Sequence, residues 1–438
     1  MARYLHGAHV PHRKRTRHLP VLRMECPKMV TIPMAMHIGK PAIPCVKVGD
    51  PVQVGTKIGE ADGFVSVPVY SSVSGKVTKI TEILMAGGNK STAIVIESDG
   101  AMTPADTIAP PAVNNREELV AAIRDCGLVG LGGAGFPTHV KFNVEPERVD
   151  YLIINGAECE PYVTSDTITM MERAEDMARG LDALAQHMGI KAVIIGIENN
   201  KKTAIRVMKE MAKSISSCSV RVQSLPSVYP QGGEKVLVYH TTGRVIPTGK
   251  LPIDVGCIVI NCTTLATIGA YLQTGMPLVE KCVTVEGEAV IQPQNVMAPI
   301  GASFADLFVA CGGLIAEPDK LIYGGPMMGI TVPDDSAPIM TNTNAILALT
   351  AKEAWLPKTT ACIRCSACTN HCPFGLAPAA LSRAYDRKDT VTLKELHVET
   401  CMECGCCSFV CPANRPLVQK NKLSKQLLRE EKAKEGDK

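Results

Sequence analysis

Two cysteine ladders near the end of the chain constrain it more than any other feature. Cys362, Cys365, Cys368 and Cys372 run up to Pro373, and Cys401, Cys404, Cys407 and Cys411 run up to Pro412. Each is a complete C-x2-C-x2-C-x3-C-P run. Its short spacings let three thiolates wrap one cubane, while the fourth, carried off by the following turn, reaches a second cluster. The expected ligand sets are Cys362, Cys365, Cys368 with Cys411, and Cys401, Cys404, Cys407 with Cys372. Two [4Fe–4S] clusters so placed move electrons one at a time. The competing reading is structural zinc, which takes four ligands in a closed tetrahedron from paired C-x2-C knuckles; two triplet-plus-one ladders fit that poorly. Cys406 is a ninth thiol inside the module, either a packed neighbour or a source of ligand swapping. Cys26 reads as a buried thiol.

With 438 residues the chain has room for roughly three or four domains. The net charge of +3 and an aromatic content of 4% argue against nucleic acid and its base-stacking platforms. The first residues, Met1 to Arg23, are basic (Arg13, Lys14, Arg15, Arg17) but lack the apolar core of a secretory signal. No stretch approaches the ~18 apolar residues of a membrane helix. A soluble, cytosolic chain with reduced thiols is therefore expected, free to hold iron or zinc. The basic arm either docks on an acidic partner or a membrane surface, or is a solvated extended tail.

Residues 1–30 are expected to form that arm and 31–100 a small lipoyl-like β barrel-sandwich, from glycine-punctuated β segments between Ile32 and Ile96. The turn Ser71–Lys76 corresponds to the tip that carries a modifiable lysine in lipoyl domains. It lacks the acidic or methionine neighbours of a carrier lysine, which favours a structural module. A Pro- and Ala-rich linker spans 101–115. From 116 to 265 a helix at Arg116–Cys126 and then alternating strands (Val149–Ile154, Ala192–Gly196, Ser219–Leu225) and helices (Met170–Met188, Lys201–Ile215) predict a Rossmann-like α/β domain with a parallel sheet. Residues 266–340 read as a β-grasp module with one helix near Phe304–Cys311, and 341–420 as the α-helical cluster module, its pattern turning helical after Ala345. The Lys- and Glu-rich segment 421–438 is expected to be a frayed helical tail. The fold class is thus α/β multidomain.

Gly130, Gly132 and Gly135 match G-x-G-x-x-G literally, but a helix precedes the loop, and Phe136, Pro137 and Thr138 follow it. The dinucleotide fingerprint needs a strand before and a helix after. Five glycines between Gly127 and Gly135 still provide backbone that a flat or phosphorylated ligand can approach closely. A flavin or nucleotide cradle with Lys141 supplying positive charge is the simplest reading; a ligand-free flexible loop is the other. The strand Val149–Ile154 delivers Asn155, Glu158 and Glu160 to the carboxyl edge of the sheet, where open α/β sheets bind ligands.

These motifs, with Tyr229–Lys235 (YPQGGEK) and Asn261–Leu265 (NCTTL), are similar in content and order to the FMN- and NADH-binding subunit of respiratory complex I. With the β barrel, the β-grasp segment and the two clusters, residues 5 to 420 resemble the RnfC family, the C subunits of the bacterial Rnf complex. The resemblance implies an ion-translocating ferredoxin:NAD+ oxidoreductase, in which this chain is the peripheral part on the cytoplasmic face of the membrane. Its partners would be the ferredoxin-like iron–sulfur protein RnfB and the integral membrane subunits. It implies FMN contacts at Gly130, Gly132, Gly133, Lys141, Asn155, Glu158, Tyr229, Gly232, Glu234 and Asn261, and nicotinamide neighbours at Phe136 and Glu160. Ala157 and Gly233 stand where the complex I pattern has acidic residues, and Val144 replaces an aromatic; the adenine contacts of NAD have no counterpart.

No side chain is required as nucleophile or general base, because NAD(H), FMN and the clusters carry the electrons. Two other functions compete: a soluble flavin/iron–sulfur reductase such as the cobalamin reductases of microcompartments, and a flavin-free electron-relay adaptor. The absence of an encapsulation peptide disfavours the first; the intact glycine loop, Lys141 and Glu160 disfavour the second.

Overall fold

A computed structural model describes residues 5–436; residues 1–4 of the expected arm and 437–438 of the expected tail lie outside it. Alternating apolar residues in the first third build a sandwich. An antiparallel sheet in the order Met29–Pro33, Lys90–Ser98, Gly75–Leu84, Pro51–Val52 accompanies a three-stranded one of Ile43–Pro44, Lys57–Glu60 and Val69–Tyr70. Val30, Ile32, Ile58, Val69, Val77, Ile94 and Ile96 are buried in its core. The turn before Lys76 faces inward. Ser71, Ser72, Val73 and Ser74 are all buried, and Ser72 Oγ donates to Ile300 O at 2.6 Å. It is a packing element.

The α/β domain holds a four-stranded parallel sheet ordered Ser219–Leu225, Ala192–Glu198, Tyr151–Gly156, Cys257–Asn261. Strand order reverses beside Tyr151–Gly156, since the next two strands in sequence lie on one side of it and Cys257–Asn261 on the other. Such a switch point leaves a crevice at the carboxyl ends, and there Asn155 and Asn261 are register partners. The single helix expected over Met170–Met188 is two, Ser165–Glu172 and Ala174–Met188. Between them Arg173 leaves helical geometry (φ −118°, ψ 31°), its side chain reaching Asp176 and Ala266 O.

A six-stranded sheet forms the β-grasp region, ordered Leu22–Arg23, Gln294–Pro299, Glu280–Glu286, Ala345–Leu349, Lys320–Tyr323, Ile330–Val332. This corrects the helical reading after Ala345. Ala345–Leu349 is an interior strand with all five residues buried, so it shows no alternation, and its alanines and leucines mimic a helix.

The expected arm is also corrected: it is neither a tail nor a free basic surface. Leu22–Arg23 joins the β-grasp sheet, Ala8 bridges Tyr229, Arg13 pairs with Glu353 at 2.8 Å, and Arg15 pairs with Glu286 at 2.6 Å. Arg13 and Arg15 thus meet carboxylates of this chain. The expected frayed tail is the helix Leu417–Gly436, which packs on Pro378–Asp386. Leu428 shares a core with Leu381 and Leu393, while Asn421 and Ser424 are buried. The inward face carries polar residues, which hid it from a hydropathy reading.

Candidate flavin crevice and cluster module

At the carboxyl edge the backbone forms a cradle. Gly130 N donates to Phe136 O at 2.8 Å, closing the glycine loop. A side chain at Gly132 would collide with Asn261 Nδ2, and one at Gly232 with Ala157 O; at Gly133 it would meet nothing. Two glycines therefore permit close packing within the chain, and Gly133 leaves the loop's open side free for a flat ligand. Asn155 Nδ2 donates to Gly232 O at 2.9 Å and ties the strand end to the 229–234 loop. Lys141, a quarter exposed, donates to Val259 O at 2.8 Å and lies 3.3 Å from Glu234. Asn261 caps the helix Cys262–Thr274 by accepting from Thr263 N and Thr264 N, and donates to Asp166 Oδ2 at 2.7 Å. An open glycine face, a positioned ammonium and a helix N-terminus suit a phosphorylated, planar ligand.

Glu158 is buried. It accepts from Asp166 N at 2.8 Å and Thr167 Oγ1 at 2.6 Å, with the Lys14 ammonium 3.9 Å away. Burial pushes its carboxyl up to about 7, against the pull of Lys14 and Lys201. Glu160 is held differently. It accepts from Met327 N at 3.0 Å, Met328 N at 2.9 Å and the Tyr229 hydroxyl at 3.3 Å. Both its oxygens are engaged by backbone of the β-grasp region. Phe136, half-buried, closes the loop beside open Gly133.

In the cluster module the two ladders fold alike. Arg364 and Ser366 take positive φ around Cys365, as Glu403 and Gly405 do around Cys404. Three residues past the last cysteine of each ladder, Gly375 and Asn414 do so again. Left-handed conformations at non-glycine residues cost ~1–3 kcal/mol each. Paired in this way they turn backbone N–H groups inward, the geometry of a nest for an anionic group. Cys372, Cys401, Cys404 and Cys407 line one cavity together with Cys406, Asn421 and Val418. This brings the fourth thiol of the first ladder to the first three of the second. Cys368 and Cys411 meet on the other side, while Cys362 and Cys365 are exposed on their loop. Among the described residues no three His, Cys, Asp or Glu side chains converge on one ion. An all-thiol set around one cavity suits a cubane. Cys406 borders the same cavity beside Cys404, its Sγ 3.6 Å from Tyr229 O.

The two sites adjoin. Tyr229 donates to Cys404 O at 2.7 Å, and a side chain at Gly233 would strike Met402 Cε. Sequence reasoning missed Lys14, Lys201 and Lys281, whose buried ammoniums hold backbone carbonyls around the crevice. It also missed Asn421, whose Nδ2 lies 3.5 Å from Cys401 Sγ. Nothing in the sequence separates Lys14 from the arginines beside it.

Fold and site together define a modular flavin and iron–sulfur electron-transfer protein. Four domain families match it: the RnfC barrel sandwich hybrid domain over 2–101, the Nuo51 FMN-binding domain over 123–270, the SLBB domain over 282–331 and the 4Fe-4S dicluster domain over 361–415. The chain belongs to the RnfC family, the C subunits of ion-translocating oxidoreductase complexes. It is 41% identical over 387 residues to the C subunit of the Na(+)-translocating ferredoxin:NAD(+) oxidoreductase complex of Acetobacterium woodii, covering 87% of each chain. The proton-translocating counterpart of Clostridium ljungdahlii is 40% identical over 84% of this chain and 81% of its own. The C subunit of the ion-translocating oxidoreductase complex of Rhodobacter capsulatus is 37% identical over 96% and 82%. Among solved structures, the NAD+-reducing [NiFe]-hydrogenase in the H2-reduced state matches with a TM-score of 0.51 at 18% identity. That match covers 74% of this chain and 63% of the hydrogenase chain, and it shows a shared fold. The chain is thus an oxidoreductase subunit whose chemistry is electron transfer between a flavin and two [4Fe–4S] clusters. No helix among the described residues is long and apolar enough to cross a membrane.

Proposed function

We propose that this chain exchanges electrons between NAD(H) and FMN in the crevice and passes them singly through its clusters, as the peripheral subunit of an ion-translocating ferredoxin:NAD+ oxidoreductase on the cytoplasmic face of the membrane. FMN, when bound, couples two-electron exchange with a nicotinamide to one-electron exchange with a cluster. Gly130, Gly132, Gly133 and Gly232 give it backbone to lie on, Lys141 and Asn261 meet its phosphate and ring edge, and Asn155, Glu158, Tyr229 and Glu234 frame it. Phe136 and Glu160 border the nicotinamide. Cys401, Cys404, Cys407 and Cys372 hold the cluster next to the flavin; Cys362, Cys365, Cys368 and Cys411 hold the other. The exposed Cys362–Cys365 loop is where a one-electron partner docks, the ferredoxin-like iron–sulfur protein of the complex. We divide the chain as read from the sequence, except that the β-grasp unit takes in Leu22–Arg23 and runs to Leu349 and the helix Leu417–Gly436 belongs to the cluster module.

The observation that carries this reading is the hydrogen bond from Tyr229 to Cys404 O, which seats the second ladder on the crevice. The test is Lys141→Ala in the purified protein. Flavin released on heating should vanish while iron and acid-labile sulfide stay at wild-type levels. Wild-type protein with intact clusters and no noncovalent FMN would sink the assignment.

A further inference from the structure

The carbonyl oxygens of Glu158, Glu160 and Val163 converge on one point. The Lys14 ammonium occupies it, donating to them at 2.8, 2.9 and 2.5 Å. Its side chain is 5% exposed, and the nearest carboxylate is Glu158 at 3.9 Å, too far for a strong direct bond. Three main-chain oxygens around a compact cation are the donor set of a monovalent-cation site. Here the ion is covalently attached to the arm. The carbonyls belong to the turn that follows Asn155 and carries Glu158 and Glu160, which is the edge of the proposed flavin crevice. Nothing else in the arm does this work: the exposed guanidiniums of Arg13 and Arg15 pair with the buried carboxylates of Glu353 and Glu286.

We propose that Lys14 is a tethered cation that sets the conformation and charge of the flavin-side turn, a positioning residue for electron exchange and not a docking residue for a partner. The proposal rests on the flavin reading of the crevice. The charged and titratable groups around Glu158 are Lys14 from the arm, Lys201 from the start of the helix Lys202–Ser214, Glu198 from the strand end, Asp166 from the helix Ser165–Glu172, and Cys159. Lys201 also donates to Glu158 O, at 3.1 Å, and bonds to Glu198. Lys201 therefore has its own carboxylate. Removing Lys14 leaves three carbonyls facing each other and Glu158 short of a cation.

The experiment uses the full chain with its clusters. In Lys14→Ala, FMN affinity should fall at least tenfold and the midpoint potential of bound FMN should drop, because a positive charge that favours added electrons is gone. Propylammonium, which replaces the deleted stem and charge, should restore both and raise the unfolding temperature of the variant but not of the wild type. Lys14→Met supplies an uncharged stem. It should show the same losses and no rescue, and it carries the test if the alanine variant does not fold. Unchanged FMN affinity and potential in Lys14→Met, or Lys14→Ala protein indifferent to propylammonium, would overturn the proposal. If wild-type protein takes up no FMN, the flavin reading fails, and the thermal response of Lys14→Ala to propylammonium still decides the tethered cation.

Discussion

The Tyr229 hydroxyl donates to Cys404 O at 2.7 Å while also touching the Glu160 carboxylate at 3.3 Å. One buried phenol thereby joins the crevice, the β-grasp loop that holds Glu160, and the second cysteine ladder. Tyr229→Phe removes the donor without opening a cavity. Stability should fall by about 1 kcal/mol, the usual worth of one such bond, with FMN and iron contents intact. Rapid mixing should show flavin reduction by NADH unchanged and the following cluster bleaching slowed.

Crossed ligation makes a pairing prediction. Cys372→Ala should abolish the same EPR signal as Cys404→Ala, and Cys411→Ala the same as Cys365→Ala. In every variant NADH-to-dye reduction through the flavin should persist. Loss of dye reduction in Cys368→Ala would place a cluster ahead of the flavin.

Asn421 points its amide at Cys401 Sγ from 3.5 Å, inside the cavity lined by the second ligand set. A hydrogen bond to cluster sulfur stabilises the reduced, more negative cluster. Asn421→Leu should therefore lower the reduction potential of that cluster and leave the other in place. An EPR-monitored redox titration reads both in one sample.

Glu158 titrates at about 7 in the folded chain, against an ordinary value of 4.5, because burial disfavours its charge more than Lys14 and Lys201 favour it. Between those two values the folded state holds a proton that the unfolded chain has released. Stability from this group is thus full below about pH 4.5 and lost as pH rises through about 7. Glu158→Gln should flatten this slope. Thermal unfolding of both proteins from pH 5 to 8 measures it, and parallel curves would refute it.

Lys281, buried in the β-grasp sheet, donates to Leu131 O of the glycine loop at 2.9 Å. Burial lowers its ammonium to about 8. Lys281→Met should loosen that loop and weaken FMN binding severalfold without touching the clusters, as fluorescence titration would show.

How much of this was legible beforehand depends on what each element advertises. The ladders were readable because metal ligands obey short fixed spacings, and the parallel sheet because Ser219–Leu225 and its neighbours alternate with helices. Asn155 and Asn261 belonged to recognisable motifs, but only the sheet order makes them register partners. Ala345–Leu349 misled because a strand buried on both faces has no alternation. Leu417–Gly436 misled because its inner face includes Asn421 and Ser424. Lys14, Lys201 and Lys281 were invisible: a lysine that serves backbone carbonyls far away in the sequence leaves no pattern in its own neighbourhood. Such long-range donors are where the sequence falls silent.

The threading of the arm has a consequence for how the chain is made. Arg13 finds Glu353 across 340 positions, and Ala8 waits for Tyr229. At ribosomal speeds of 5–20 residues per second, roughly 20–70 s separate the emergence of Arg13 from that of its partner. The arm is thus among the last segments to settle. It closes over the completed domains like a latch, and proteolysis of nascent chains halted before Glu353 should cut first near Arg13.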